Sequence, residues 1–376
     1  MERMIHMKKL GLGLMRLPVT DSDNRSTIDI DAVCRMADEF ISAGFTYFDT
    51  AYMYHDGKSE NAFKEAVALR YPRDSYVLAD KLPMWHVHDE GDPEKIFNEQ
   101  LEKCGVEYFD YYLLHSMNKG NIEAANKYGA FDFVQKKKAD GFIRHVGFSF
   151  HDSAKVLDEL LTAHPEMEFV QLQINYMDWE NDKIQSRKCY EVARRHGKDI
   201  IVMEPVKGGA LATAPVEAEK LLLEREPDMS IASWALRYTA GLDGVFMVLS
   251  GMSNMEQLRD NMSFMSDPTP LSADDTALLM KTLEIRANPP IPCTSCEYCV
   301  EGCPAGIQIP KFLALYNSAF MKGSSAPEWE MKEYAKLSSE GSAASACISC
   351  KACETVCPQH IEIADFLGKT AQTLER

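Results

Sequence analysis

The sequence contains no run of about 18 apolar residues, the length a bilayer-spanning helix needs. It is also poor in positive charge, with 40 Lys plus Arg against 57 Asp plus Glu and a formal net charge of −17. A chain of that sign is repelled by phosphate backbones and anionic lipid, so neither nucleic acid nor a membrane is an expected partner. The N-terminal apolar patch is cut by Arg16 before the core of a secretion signal could form, and a cytoplasmic location is expected. Cysteine is nearly absent from most of the chain: before Cys293 there are only Cys34, Cys104 and Cys189. In a reducing compartment such residues are not expected to form disulfides. No G-x-G-x-x-G follows the first strand-like segment, which counts against a doubly wound dinucleotide-binding sheet.

What is present is enough apolar material for a large core, with 45% hydrophobic residues in a 376-residue chain. Short β-like runs occur at 10–15, 45–49, 75–81, 110–115, 143–149, 168–173, 199–203 and 244–250. Amphipathic helical stretches lie between and after them, near 29–43, 58–70, 93–104, 122–140, 153–164, 183–196, 229–240 and 254–264. Asp29, Asp152-Ser153 and Ser253-Asn254 are helix-capping signals. Eight strands, each followed by a helix, predict an α/β fold of the (β/α)8 TIM-barrel class. A further helix near 272–286 runs into Asn288-Pro289-Pro290-Ile291-Pro292, which no helix can continue. The expected domains are therefore a barrel over 1–287 and a small, mainly helical unit over 288–376.

The remaining eight cysteines occupy that tail in two copies of one pattern. Cys293-x2-Cys296-x2-Cys299-x3-Cys303-Pro304 recurs as Cys347-x2-Cys350-x2-Cys353-x3-Cys357-Pro358. Three thiolates at steps of three can wrap one iron–sulfur cubane, while the fourth ligates the other cluster in two-cluster proteins. The expected ligand sets are Cys293, Cys296, Cys299 with Cys357, and Cys347, Cys350, Cys353 with Cys303. Two structural zinc sites are the competing reading, although zinc usually takes paired C-x2-C units. The tail resembles a bacterial-type ferredoxin domain with two [4Fe–4S] clusters. The 43 residues between Cys303 and Cys347 make it more similar to the helical ferredoxin domains fused to larger oxidoreductases.

Chemistry in a (β/α)8 barrel sits at the C-terminal ends of the strands. Those ends carry Asp49, Lys81, His115, Ser149 and Gln173, with Tyr54 just beyond the second. A phenol, with its ordinary pKa of about 10, is a weak acid at neutral pH until a neighbouring ammonium stabilises its phenolate. A carboxylate beside the Lys would keep it charged and in place. A neutral His could hydrogen-bond a carbonyl oxygen. Tyr52 is the nearest competitor of Tyr54.

The order and spacing of Asp49-Thr50-Ala51-Tyr52-Met53-Tyr54, Gly57-x-Ser59-Glu60, Lys81 and Leu113-Leu114-His115 resemble the aldo-keto reductase motifs, over about residues 8–264. The resemblance implies that Tyr54 donates the proton, Lys81 and Asp49 tune it, and His115 orients the substrate. It implies an extended NADP or NAD, with Ser149 and Gln173 at the carboxamide. Ser250 to Asn254, Gln257 and Asn261, including Gly251 and Ser253, would take the adenosine end. Three departures stand out. Phe150 replaces the Asn usually found after Ser149, Met203 stands where an aromatic ring often stacks on nicotinamide, and only Arg259 is near the usual 2′-phosphate clamp.

Trp85, His86, His88 and Trp179 are candidates to line a substrate pocket or to pack on the tail, and Lys207-Gly208-Gly209 could track a pyrophosphate. The combined expectation is an oxidoreductase interconverting a small carbonyl/alcohol pair. Its two [4Fe–4S] clusters would serve structure or exchange electrons with a ferredoxin-like protein. The alternatives are a redox-sensing regulatory protein that binds NAD(P)H on the same barrel and a Schiff-base aldolase using Lys81.

Overall fold

The computed structural model of the chain describes residues 7–22, 24–285, 289–322 and 328–375. Eight strands, β1 Leu10–Gly13, β2 Tyr47–Asp49, β3 Val77–Pro83, β4 Phe109–Met117, β5 Ile143–Phe150, β6 Phe169–Gln173, β7 Asp199–Met203 and β8 Val245–Ser250, follow one another in sequence order. They form a closed parallel barrel in that order, sealed where Leu10, Gly11 and Leu12 pair with Val248, Leu249 and Ser250. The (β/α)8 expectation holds.

Strand periodicity explains how the barrel is filled. Successive side chains on a strand alternate between faces. Tyr47, Ala79, Leu113, Phe169, Ile201 and Met247 make one buried cluster. Their neighbours Phe48, Leu78, Leu114, Val170, Val202 and Val248 belong to a second, larger cluster with the surrounding helices. The first set fills the barrel and the second mortars helices to its outside. Moving two residues along each strand from the filling layer reaches Asp49, Lys81, His115 and Met203. Gly147, two residues before Ser149, completes that layer because Phe169 leaves it no room: a Cβ there would lie 2.5 Å from the Phe169 carbonyl oxygen.

Most connecting helices match the sequence expectation, with three differences. The expected helix 122–140 is two, Lys119–Lys127 and Ala130–Ala139, because Gly129 adopts φ 68° between them. Such a left-handed residue ends a helix, and Gly bears it without a Cβ penalty. The stretch expected as one helix at 58–70 is Ser59–Phe63 followed by a wider π turn, Lys64–Ala68. A helix at Val216–Arg225 was not expected, although Pro215 immediately before it is a helix-start signal.

The chain divides into two compact units. The first runs to Val206 and resumes over Glu226–Leu279; the second joins Lys207–Arg225 to the chain from Met280 onward. The expected boundary at 287/288, like Asn288 of the proline-rich connector, lies outside the described residues. The second unit is mainly helical, as expected. Helices Ile309–Lys322, Glu328–Glu340 and Ile363–Leu374 pack around Phe312, Leu313, Tyr334, Ile363 and Leu367. No helix among the described residues is long and apolar enough to cross a membrane.

The filling layer makes a direct prediction. Gly147→Ala should cost about 1–3 kcal/mol, as overpacking of a close-packed interior does. It would appear as a lower midpoint in denaturant unfolding of the barrel. An unchanged midpoint would mean that β5 and β6 are less tightly apposed than described.

Candidate active site and cysteine clusters

Asp49 closes β2, Lys81 lies two residues before the end of β3, and His115 lies two before the end of β4. Lys81 is fully buried. Its Nζ donates to Asp49 Oδ1 at 2.7 Å and to the Thr50 carbonyl at 2.5 Å. The same ammonium stands 5.0 Å from the centroid of the Tyr54 ring. Tyr54 in turn faces His115 edge-on, with ring centroids 6.3 Å apart. All four sequence candidates therefore meet in one place. Tyr52 does not: its hydroxyl donates to Glu99, and Lys103 lies 4.3 Å from its ring.

The backbone of Lys81 is clamped by residues the sequence reading did not single out. Its N–H donates to Asp80 Oδ1 at 2.8 Å, and its carbonyl accepts from Gln100 Nε2 at 3.0 Å. The Tyr112 hydroxyl donates to Gln100 Oε1 at 2.5 Å. Asp80, Gln100 and Tyr112 are all fully buried. Burial, then the charge of Glu60, holds the Asp80 carboxyl well above the usual carboxylate range. The available signal was a second charged residue inside an otherwise apolar strand.

Electrostatics at the pocket follow from the same burial. Desolvation first, then the Lys81 and His151 charges, depress the His115 pKa well below its ordinary value. The imidazole is thus neutral at neutral pH, the form that can donate one hydrogen bond without carrying charge. Burial raises the Asp49 pKa, against the pull of Lys81.

Around this group, Trp85 lies 5.0 Å from His115 between ring centroids, and His86 lies 5.8 Å from Tyr52. Trp179 packs instead on Tyr190 and Tyr238, and His88 is exposed. Of the expected lining residues, Trp85 is in ring contact with His115.

Several residues expected at the cofactor are engaged in local hydrogen bonds. Ser149 Oγ accepts from the Ser116 N–H at 2.7 Å. Gln173 Nε2 donates to Asp178 Oδ2 at 2.9 Å, an oxygen that also accepts from Asn175. Met203 ends β7 half-buried, and Gln171 Nε2 reaches its sulfur at 3.5 Å. Gln257 Oε1 accepts from the Ser253 N–H, and Asn261 Nδ2 donates to Ser250 Oγ. Arg259 makes a two-pronged ion pair with Glu39 at 2.6 and 2.9 Å. The side chain close to Gly251 is Arg16, whose carbons would lie 3.1–3.2 Å from a Cβ placed there. Nothing in the linear sequence joins those two residues.

Lys207–Gly209 forms a short turn in the second unit, and a Cβ on Gly208 would meet Thr294 at 2.9 Å.

The cysteines gather around two cavities. Cys293, Cys296, Cys299 and Cys357 line one; Cys303, Cys347, Cys350 and Cys353 line the other. The two runs share a backbone form. Ser295 and Glu297 have φ of 53° and 69°, and their counterparts Ser349 and Lys351 have 55° and 60°. Left-handed non-glycine residues cost about 1–3 kcal/mol each and persist at functional sites where the surroundings enforce them. Burial first, then neighbouring Cys296, Cys293 and Cys357, push the Cys299 thiol up. A crowd of thiols in that state gains most from a cation that takes their protons' place.

Among the described residues no three of these sulfurs lie within 4.8 Å of one another. A zinc bonded at about 2.3 Å by four thiolates would need sulfurs about 3.8 Å apart. The donor set and the room between the sulfurs fit a larger inorganic core.

The chain matches the Aldo/keto reductase family over residues 9–284 and a 4Fe-4S dicluster domain over residues 292–362. It belongs to the aldo/keto reductase family and is an oxidoreductase of that type with an iron–sulfur domain at its C-terminus. The Bacillus subtilis uncharacterized oxidoreductase YqkF is 25% identical over 287 residues, covering 68% of this chain and 87% of that protein. An L-galactose dehydrogenase of Arabidopsis thaliana is 23% identical over 276 residues, 66% of this chain and 82% of that one. Among solved structures, an aldo/keto reductase from Klebsiella pneumoniae in complex with NADP and acetate superposes with a TM-score of 0.57 at 21% identity. That match covers 73% of this chain and 91% of the other. At such identity the likeness establishes the fold.

The environment of His115 generates a prediction. In an NMR titration its ring should show no midpoint near the ordinary value of about 6.5. A His115 midpoint at that ordinary value would mean that the pocket is open to water.

Proposed function

We propose that the barrel catalyses NADP- or NAD-dependent reduction of a small aldehyde or ketone, or the reverse oxidation, and that the tail holds two [4Fe–4S] clusters. The barrel comprises residues 1–287, the cluster domain 288–376, and the protein works in the cytoplasm. One observation carries the catalytic reading: a buried ammonium held by Asp49 stands beside the ring of Tyr54 with the neutral His115 opposite. Bound nicotinamide would supply or accept a hydride, and each bound cluster would carry one electron.

The chain's own residues account for the rest. Tyr54 gives its hydroxyl proton to the carbonyl oxygen as that oxygen gains charge. Lys81 stabilises the phenolate left behind, and Asp49 holds Lys81 charged at the required place. His115 donates an N–H to the same oxygen and fixes the carbonyl's orientation. Trp85 offers an aromatic wall beside that group. Ser149, Gln173, Met203, Gly251, Ser253, Gln257 and Asn261 remain the proposed cofactor contacts, those in local hydrogen bonds exchanging some of them on binding. A regulatory sensor would need none of the Tyr54–Lys81–His115 grouping. A Schiff base on Lys81 would need a neutral amine, which the carboxylate bonded to it disfavours.

For the tail, Cys293, Cys296, Cys299 and Cys357 would hold one cluster, and Cys347, Cys350, Cys353 and Cys303 the other. The separation of the sulfurs supports a cubane over zinc. A ferredoxin-like protein is the proposed electron partner.

Two experiments test this reading. Anaerobically purified protein, assayed with NADPH and NADH against a panel of aldehydes, should oxidise the cofactor, and Tyr54→Phe should lose about 10²-fold or more. Equal activity of the two proteins would refute the assigned proton donor. The same preparation should carry about eight iron atoms per chain. Cys350→Ser should lose roughly half of them without changing the barrel's circular dichroism; full iron retention would remove Cys350 from the ligand set.

A further inference from the structure

We propose that Lys207 and Gln359 set the reduction potential of the cluster held by Cys293, Cys296, Cys299 and Cys357. The inference rests on the ligand set proposed above and adds to it two residues outside the cysteine pattern.

Lys207 is a cation that the fold removes from water: it is 8% exposed, and its Nζ lies 3.5 Å from Gln359 Oε1. Gln359 is 4% exposed and lines the first cysteine cavity, two residues beyond the ligand Cys357. Thr294, next to Cys293, lines the same cavity and is the residue against which Gly208 is pressed. The turn carrying Lys207 is thereby fixed at this cavity, and φ 47° at Lys207 shows that its backbone is constrained as well.

Two effects then act with the same sign. An amide whose oxygen accepts from Lys207 has only N–H donors to offer its other neighbours, and N–H donors to cluster sulfurs raise the potential. A buried positive charge favours the reduced cluster, which carries one more negative charge than the oxidised one, and is little screened by salt. Among the described residues lining the second cavity, neither feature is found. The position equivalent to Thr294 is Ile348, 70% exposed, and the local cation, Lys351, is 63% exposed at its side chain, where water screens it.

The test is a potentiometric titration of the full chain, purified anaerobically and followed by electron paramagnetic resonance, with iron determined in parallel. Lys207→Gln and Gln359→Leu should each move one cluster, and the same one, to lower potential. The reduced-to-oxidised ratio at fixed potential should fall by about fivefold or more, where tenfold corresponds to 59 mV for one electron. Lys207→Arg should stay within about twofold of wild type, as should Lys351→Gln at either cluster, since exposed charge is screened. Wild-type potentials in both Lys207→Gln and Gln359→Leu would overturn the inference. Loss of iron from Lys207→Gln but not from Lys207→Arg would support a need for charge at this place. Loss from both would reduce Lys207 to a packing residue and overturn it. Wild-type protein without iron–sulfur signals would instead overturn the ligand sets themselves.

Discussion

The ion pair between Lys81 and Asp49 is the constraint on which the barrel's chemistry depends. Removing an unpaired ammonium from water costs many kcal/mol, so it can be buried only beside groups that replace its hydration. Asp49 Oδ1 and the Thr50 carbonyl do so at 2.7 and 2.5 Å. The backbone of Lys81 is fixed separately, through Asp80 and the Gln100–Tyr112 pair. With both ends of the residue held, the ammonium cannot turn toward solvent, and the ring of Tyr54 lies within reach of an undiluted positive charge. The same desolvation keeps His115 neutral, so one physical cause gives Tyr54 its cationic neighbour and His115 its charge state.

The cysteine unit solves a related problem by repetition. Each loop must turn three thiols toward one centre, and a chain of ordinary residues does so only by entering the left-handed region twice. Ser295 and Glu297 do this in the first loop, Ser349 and Lys351 in the second. The geometry is shared although Glu297 in one loop stands where Lys351 stands in the other, while Ser295 and Ser349 are the same residue. The surroundings differ: Thr294 is buried and Gln359 lies behind it, whereas Ile348, Cys350 and Lys351 face solvent. Two chemically equal sets of cysteines are thus placed in unequal dielectric surroundings, and surroundings of that kind shift the potential of a bound cluster.

Much of this was legible in the linear chain. The strand runs, the four residues at their ends and the paired cysteine patterns were visible because each is local or periodic. A period of two along a strand fixes which side chains point inward, so Tyr47 implies Asp49, and Ala79 implies Lys81. What escaped was non-periodic or distant in sequence: the break at Gly129, the helix Val216–Arg225, the clamp from Gln100, and the approach of Arg16 to Gly251. Arg259, the one cation near the proposed nucleotide end in sequence, is paired with Glu39, 220 positions away.

By itself, then, the sequence determined the eight strands, most of the helices, their order, the inward side of each strand and the grouping of thiols within each run, since all of these follow from backbone geometry over a few residues. Only the tertiary structure decided which tyrosine meets the ammonium, what charge state His115 holds, and which cysteine cavity has a buried Lys beside one of its lining residues. Those outcomes depend on closing the barrel and packing the helices, because desolvation and charge proximity are set by atoms that chain distance does not relate.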